Sequence, residues 1–296
     1  MRIARPAWTP LLLALLATPA AAQQAGAAGA PEPVKARLVT ESAALAAGAN
    51  NPVGVLLEMS EGWHVYAPCL NDSGGPAGVA PELPDGWSWQ AFDWPAPVRL
   101  LGPGDQLDHV YEGRVLLAGE VQVPADAVAG IATLRMHAAW MACRSVCVLG
   151  EAVLTLDVSV TPAGSRVKAS ADAPLFEATR ARTARPLPAQ GAPLSATLTD
   201  GALVLHAPGV VALAFYPDED GPGYADLLHE GACDGERLVL HLYDGRPAAA
   251  ARGVVELRWP GDRPADFFRI DIPLPVPSLP GDTPRAPPSQ EKDDAR

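Results

Sequence analysis

Residues 133–160 read TLRMHAAWMACRSVCVLGEAVLTLDVSV, and the phase of this stretch decides the fold class. Leu134, Met136, Ala138 and Trp140 alternate with Thr133, Arg135, His137 and Ala139, a period of two. Past Cys147 the alternation resumes, with Ala152, Leu154, Leu156, Val158 and Val160 set against Val153, Thr155, Asp157 and Ser159. Two strands of opposite phase with a short link between them describe an antiparallel hairpin. On one extended strand, residues 143 and 147 would stand roughly 13 Å apart, far beyond the ~5.5–6 Å that a disulfide requires. A three-residue loop, Arg144-Ser145-Val146, instead sets Cys143 opposite Cys147 at about 4.5–5.5 Å.

The same period runs outward from this hairpin. Val53, Val55, Leu57 and Met59 alternate with Gly54, Leu56 and Glu58, and residues 114–123 form another strand stopped by Pro124. Short strands punctuated by Gly and Pro, without helical repeats between them, predict an all-β, antiparallel sandwich over residues 34–160. Residues 173–182 are the one convincing helix, with Leu175, Phe176 and Ala178 on its apolar side. Residues 183–193 carry three prolines and close a linker that spans 161–193. A second, smaller β domain is expected over 194–275. Asp200-Gly201 marks a hairpin turn between its first two strands, and further strand-like runs lie at 210–216, 237–243, 254–259 and 267–272.

At the N-terminus, Arg2 and Arg5 precede an apolar run and the small residues Ala20-Ala21-Ala22, the pattern of a cleaved secretory signal over residues 1–22. The run is too short for a membrane anchor, and no later stretch offers a transmembrane segment in the mature chain. Residues 23–33 form a flexible leader, and residues 276–296 a polar tail with nothing to bury. The chain is expected in the periplasm or otherwise secreted, where disulfides last. Its 296 residues allow one or two domains. The formal charge is −12, and losing Arg2 and Arg5 leaves 20 basic against 34 acidic residues. No basic stripe remains for a phosphate backbone, so nucleic acid is excluded as a partner.

Four cysteines are too few for a disulfide-stapled miniprotein, and the Cys143–Cys147 spacing is the strongest chemical feature. A disulfide closing so small a ring removes little unfolded-state entropy, which suits exchange better than reinforcement. Arg144 supplies positive charge that favours a thiolate. Two other readings stand beside exchange. One is an inert hairpin staple in a non-enzymatic binding module. The other is a Cu(I) site drawing on Cys143, Cys147, Cys69, His64 and Met141, although no Cys-x-x-Cys, His-rich or Met-rich cluster accompanies them. Zinc lacks a second ligand pair, the six histidines are scattered, and no Gly-x-Ser-x-Gly elbow is present. No bound cofactor or metal is expected. Cys69 and Cys233 are extra thiols that either pair with each other or stay independent.

The setting Trp-x-x-Cys-x-x-x-Cys-x-x-Gly-Glu-Ala at residues 140–152 is joined in order by five earlier segments. They are Gly62-Trp63-His64-Val65-Tyr66, Asp72-Ser73-Gly74, Leu83-Pro84-Asp85-Gly86, Trp94-Pro95-Ala96-Pro97 and Tyr111-Glu112-Gly113. Together they resemble the N-terminal periplasmic domain of the DsbD/ScsB-type thiol:disulfide interchange proteins. The likeness is good over residues 34–160 and loose over 194–273. It implies an immunoglobulin-like sandwich in which Cys143 and Cys147 are the exchange pair. It also implies that the pair takes electrons from a membrane-embedded thiol relay and reduces extracytoplasmic, thioredoxin-like partners. The settings it suggests are cytochrome c biogenesis and copper tolerance. An aromatic cap or partner-binding loop is best matched by Phe92, Asp93 and Trp94, with Tyr66. The family's membrane segment and thioredoxin-like domain have no counterpart in this sequence, so a separate relay is implied. Val148-Leu149-Gly150 follows the second cysteine where the family often has proline.

Overall fold

The alternation at residues 133–160 becomes the longest hairpin in the molecule. A computed structural model describes residues 32–243, 245–246 and 248–274. The expected signal sequence at 1–22, nearly all of the expected 23–33 leader and the expected 276–296 tail lie outside the described residues.

The first eleven strands are β1 (Val34–Thr40), β2 (Leu45–Ala46), β3 (Asn50–Met59), β4 (His64–Tyr66), β5 (Gly78–Glu82) and β6 (Ser88–Ala91). They continue as β7 (Val98–Gly102), β8 (Gln106–Glu112), β9 (Arg114–Gln122), β10 (Gly130–Cys143) and β11 (Cys147–Thr161). One sheet runs β1-β3-β9-β6. The facing sheet runs β2-β11-β10-β4-β8-β7, with β5 also on β10. The pairings are antiparallel except the short β2–β11 contact, which is parallel. This is the antiparallel sandwich that the alternation called for, in the immunoglobulin-like form that the resemblance implied.

Each strand's period of two sorts its side chains between faces. Val53, Val55 and Leu57 of β3, with Val115, Leu117 and Val121 of β9, enter the core between the sheets. Leu134, Met136, Ala138 and Trp140 of β10 meet them from the other side. The opposite face of β3 and β9 is apolar too, because helix α1 (Ala173–Arg180) lies on it. Its Phe176 packs among Val39, Leu56, Leu116 and Ala118.

Beyond α1 come β12 (Arg185–Pro186), β13 (Ser195–Thr199), β14 (Ala202–His206), β15 (Ala212–Pro217) and β16 (Gly223–Tyr224). Helix α2 (Leu227–Glu230) precedes β17 (Ala232–Asp234), β18 (Arg237–Tyr243), β19 (Ala250–Arg258) and β20 (Asp266–Pro273). Sheets β12-β20-β19-β15-β17 and β13-β14-β18-β16 enclose a second core built on Leu205, Phe215, Leu240, Leu257 and Phe268. Asp200 and Gly201 both have positive φ, 50° and 73°, as a two-residue hairpin turn of this hand requires.

Two expectations need correction. Helix α2 was not foreseen; it is a single turn, and the Asp226 carboxylate caps it by accepting from the His229 backbone N–H at 3.0 Å. The proline-rich stretch at 183–193 is also not all linker, since β12 pairs in parallel with β20. That position suits Pro186, because the edge of a sheet does not need its missing N–H.

The described residues form one compact unit, stitched by polar contacts around the first sandwich's residues 93–99. Arg269 of β20 reaches Asp93 at 3.1 Å and Asp218 at 2.8 Å. Arg182 donates to the Ala96 carbonyl at 2.7 Å and lies over the Phe267 ring. Arg99 donates to the Leu227 and Leu228 carbonyls at the end of α2. The Leu70 N–H donates to the Pro217 carbonyl at 3.0 Å.

Candidate functional site

Cys143 closes β10, Cys147 opens β11, and the two are directly paired and disulfide bonded, with Cα atoms 4.1 Å apart. The loop is the three-residue link that the spacing required, closed by the Arg144 N–H donating to the Val146 carbonyl at 3.1 Å. The register is fixed one turn of the pleat away, where Trp140 faces Gly150. A Cβ on Gly150 would sit 2.3 Å from the Trp140 Nε1, so only glycine leaves room for the indole. Arg144 is steadied by the Trp63 ring, 5.3 Å from its guanidinium carbon.

Alternation then places the cystine away from the main core. Trp140 and Ala142 point between the sheets, so Cys143 points to the outer face of its sheet. There it packs with Tyr66, Val110, Leu100 and Met141. The loop after β4 lies over Tyr66: a Cβ on Gly74 would stand 2.2 Å from the ring. Ser73 Oγ is hydrogen bonded to the Tyr66 hydroxyl at 3.1 Å and donates to Asp108 Oδ2 at 2.5 Å. The backbone N–H groups of Asp72 and Ser73 donate to Asp108 Oδ1, so one buried carboxylate orders this cover.

The two sulfurs meet unlike surroundings. Cys143 is only 3% exposed, whereas Cys147 lies open to solvent. Around Cys147 stand exposed apolar side chains, Val146, Val148 and Leu149, the last 86% exposed. An incoming protein thiol can reach Cys147 across this apolar tip, while Cys143 is covered.

Register also aligns four residues in one row across the sheet. Cys147 faces Cys143, Cys143 faces His64 of β4, and His64 faces Glu112 of β8. His64 is 8% exposed, with its ring edge-on to Tyr66 at 5.4 Å. Burial lowers the pKa of its imidazole below the ordinary value, opposed by the charges of Glu112 and Asp108.

Of the aromatic and acidic residues expected near the pair, Tyr66 packs on Cys143. Phe92 instead packs against the cluster containing Phe176, and Asp93 pairs with Arg269. Trp94 packs on the main core with its ring tilted toward Tyr111, whose hydroxyl donates to the Pro95 carbonyl at 2.6 Å. Cys69 and Cys233 are free thiols. Cys69 is buried beside Asp218, and burial pushes its thiol far up. Cys233 sits on β17, its thiol also raised by burial and donating to the Arg237 carbonyl at 3.2 Å. Among the described residues, no group of three or more His, Cys, Asp or Glu side chains is arranged to hold a metal ion. No helix among them is long and apolar enough to cross a membrane. Sequence reasoning did not single out Ser73, Asp108, Val110 or Leu100; the Asp72-Ser73-Gly74 and Tyr111-Glu112 segments were the only signal near them.

Fold and site define a class: an immunoglobulin-like sandwich with one cystine at the tip of a sheet hairpin. Residues 35–159 match the family model described as thiol:disulfide interchange protein DsbD, N-terminal, which marks this span as a DsbD/ScsB-type N-terminal domain. The N-terminal periplasmic domain of ScsB from Proteus mirabilis is similar in fold, with a TM-score of 0.51 and 15% identity. That match covers 82% of this chain and 94% of the other, so the shared fold extends beyond residue 159. The Salmonella enterica SafA pilin in complex with the SafB chaperone also matches over 81% of this chain and 99% of that one. Its TM-score of 0.23 and 7% identity are too low to bear on the fold. No curated protein sequence matches the chain.

Proposed function

We propose that this is an extracytoplasmic thiol:disulfide interchange protein that passes reducing equivalents to partner proteins through Cys143 and Cys147. The observation that carries the reading is the asymmetry of the pair, with one sulfur open at an apolar tip and the other covered. Exchange requires a thiolate to approach one sulfur in line while the second departs. Cys147 is the sulfur a partner reaches, so it forms the mixed disulfide, and Cys143 leaves and later resolves it. A membrane-embedded thiol relay supplies the electrons, and extracytoplasmic thioredoxin-like proteins receive them, as the family resemblance implies. Location in the periplasm with a cleaved signal accords with residues 1–22.

Trapping tests this reading. Cys143→Ala keeps the accessible thiol and removes its resolving partner, so it accumulates disulfide-linked adducts of extracytoplasmic proteins. Cys147→Ala leaves only the covered thiol and accumulates few. Failure of both variants to capture any thiol protein rules out exchange and leaves a structural staple.

A further inference from the structure

The row Cys147–Cys143–His64–Glu112 uses two residues that the exchange pair alone does not need. Directly opposed residues on neighbouring strands share a face, with Cβ atoms about 4.5–5.5 Å apart. The packing agrees. Cys143 touches Tyr66, and Tyr66 stands two residues from His64 on the same side of β4, the rings edge-to-face. We infer that His64 accepts the proton of the Cys143 thiol when Cys143 resolves a mixed disulfide on Cys147, with Glu112 setting the strength of that base. The inference rests on the exchange reading above.

The chemistry needs such a group. A covered thiol resists ionisation, because burial disfavours the charged form, yet only the thiolate attacks. The charged and titratable groups around His64 are Glu112 and Asp108 from β8, Tyr66 from β4, and the two cysteines and Arg144 from the hairpin end. Burial holds the imidazole below its ordinary value, so it is neutral near pH 7 and free to take a proton. In the step, the Cys143 proton moves to His64 and the Cys143 thiolate attacks the Cys147 sulfur. The Cys143–Cys147 bond forms and the Cys147–partner bond breaks. The partner thiolate leaves with the electron pair and takes the proton back from the His64 imidazolium, so over the two exchange steps together the cysteine pair is oxidised by two electrons and the partner disulfide reduced by two.

The test uses the reduced protein in a Cys69→Ala, Cys233→Ser background with 5,5′-dithiobis(2-nitrobenzoate). The first nitrothiobenzoate released reports attack by Cys147, and the second reports resolution by Cys143. His64→Gln is expected to slow the second release about tenfold or more at pH 7, with the rate recovering as pH rises toward the thiol's own pKa. The first release keeps its rate. Glu112 is exposed, so Glu112→Gln preserves the fold even if His64→Gln does not. Removing that negative charge lowers the imidazole's pKa and moves the acid limb of the second release to lower pH. Superimposable second-release profiles for wild type and His64→Gln, or an acid limb that Glu112→Gln leaves unmoved, overturn the inference. Partner trapping on Cys147 together with superimposable profiles would fail this inference alone. A His64 effect without any trapped partner would fail the exchange reading alone.

Discussion

Replacing Gly150 by alanine tests whether the cysteine hairpin is held by the indole that lies across it. The added Cβ would stand 2.3 Å from Trp140 Nε1, 2.6 Å from Cε2 and 3.0 Å from Cζ2. Relaxed carbon contacts lie near 3.5–4.0 Å, so the indole must withdraw by about an ångström. It has little room, because Trp140 is 8% exposed and packed in the main core. Overpacking of this kind costs about 1–3 kcal/mol. Alanine's smaller backbone entropy loss offsets about 0.5–1 kcal/mol. The expected net loss is about 1–2 kcal/mol, measured by urea unfolding of the oxidised protein and followed by tryptophan fluorescence. That signal reports chiefly on the first sandwich, which holds Trp63, Trp87, Trp89, Trp94 and Trp140. In a Trp140→Phe background the clashing atoms are gone, and Gly150→Ala becomes neutral or slightly stabilising. An equal loss in both backgrounds, or no loss in the wild type, refutes the reasoning.

Reducing the Cys143–Cys147 bond should cost no more than about 2 kcal/mol, the loop-entropy value for a ring of about five residues, by urea unfolding with and without reductant. Trp94→Ala should cost about 3 kcal/mol, since the ring packs on Tyr111 and the core, and should leave the reaction of Cys147 with a small disulfide unchanged. Faster thiol reaction in a fully folded Trp94→Ala variant would instead assign this segment a capping role. Acid should weaken the molecule through His109, which is fully buried and whose Nδ1 lies 2.7 Å from the Leu70 carbonyl. Burial lowers its pKa to about 4 in the folded state, against about 6.5 unfolded. Between those values the unfolded chain binds the extra proton, so stability falls as pH drops from about 6.5 to about 4. His109→Gln should flatten that part of the pH–stability curve, and an unchanged slope would remove His109 as its cause.

Period-two alternation carried much of this architecture, because a sheet with one buried face writes its geometry into every second residue. The spacing of Cys143 and Cys147 fixed the loop length for the same reason, and Asp200-Gly201 announced its turn through the positive φ it needs. What sequence could not give was the side of the sheet on which the cystine sits relative to distant strands. Opposed pairs such as Cys143 with His64 depend on register between segments eighty residues apart, which no local pattern encodes. The cover over Tyr66 was similarly hidden, since Ser73, Gly74 and Asp108 act through a loop and a strand that meet only in the fold. Trp94-Pro95-Ala96-Pro97 reads as a stiff aromatic flap. Its partners Arg182, Tyr111 and, beside it, Arg269 with Asp93 come from elsewhere in the chain. Strand β12 was missed because prolines normally argue against strands, and only its edge position makes Pro186 acceptable there.

The claim that Cys143 and Cys147 exchange rather than merely staple the hairpin is tested most directly by their reduction potential. The pair would be equilibrated with dithiothreitol or glutathione redox buffers, and the reduced fraction read by alkylation and mass spectrometry. A labile pair closing so short a ring, with one sulfur exposed, should titrate at a potential less negative than about −300 mV. A value well below about −300 mV would mark an inert structural bond and contradict the account.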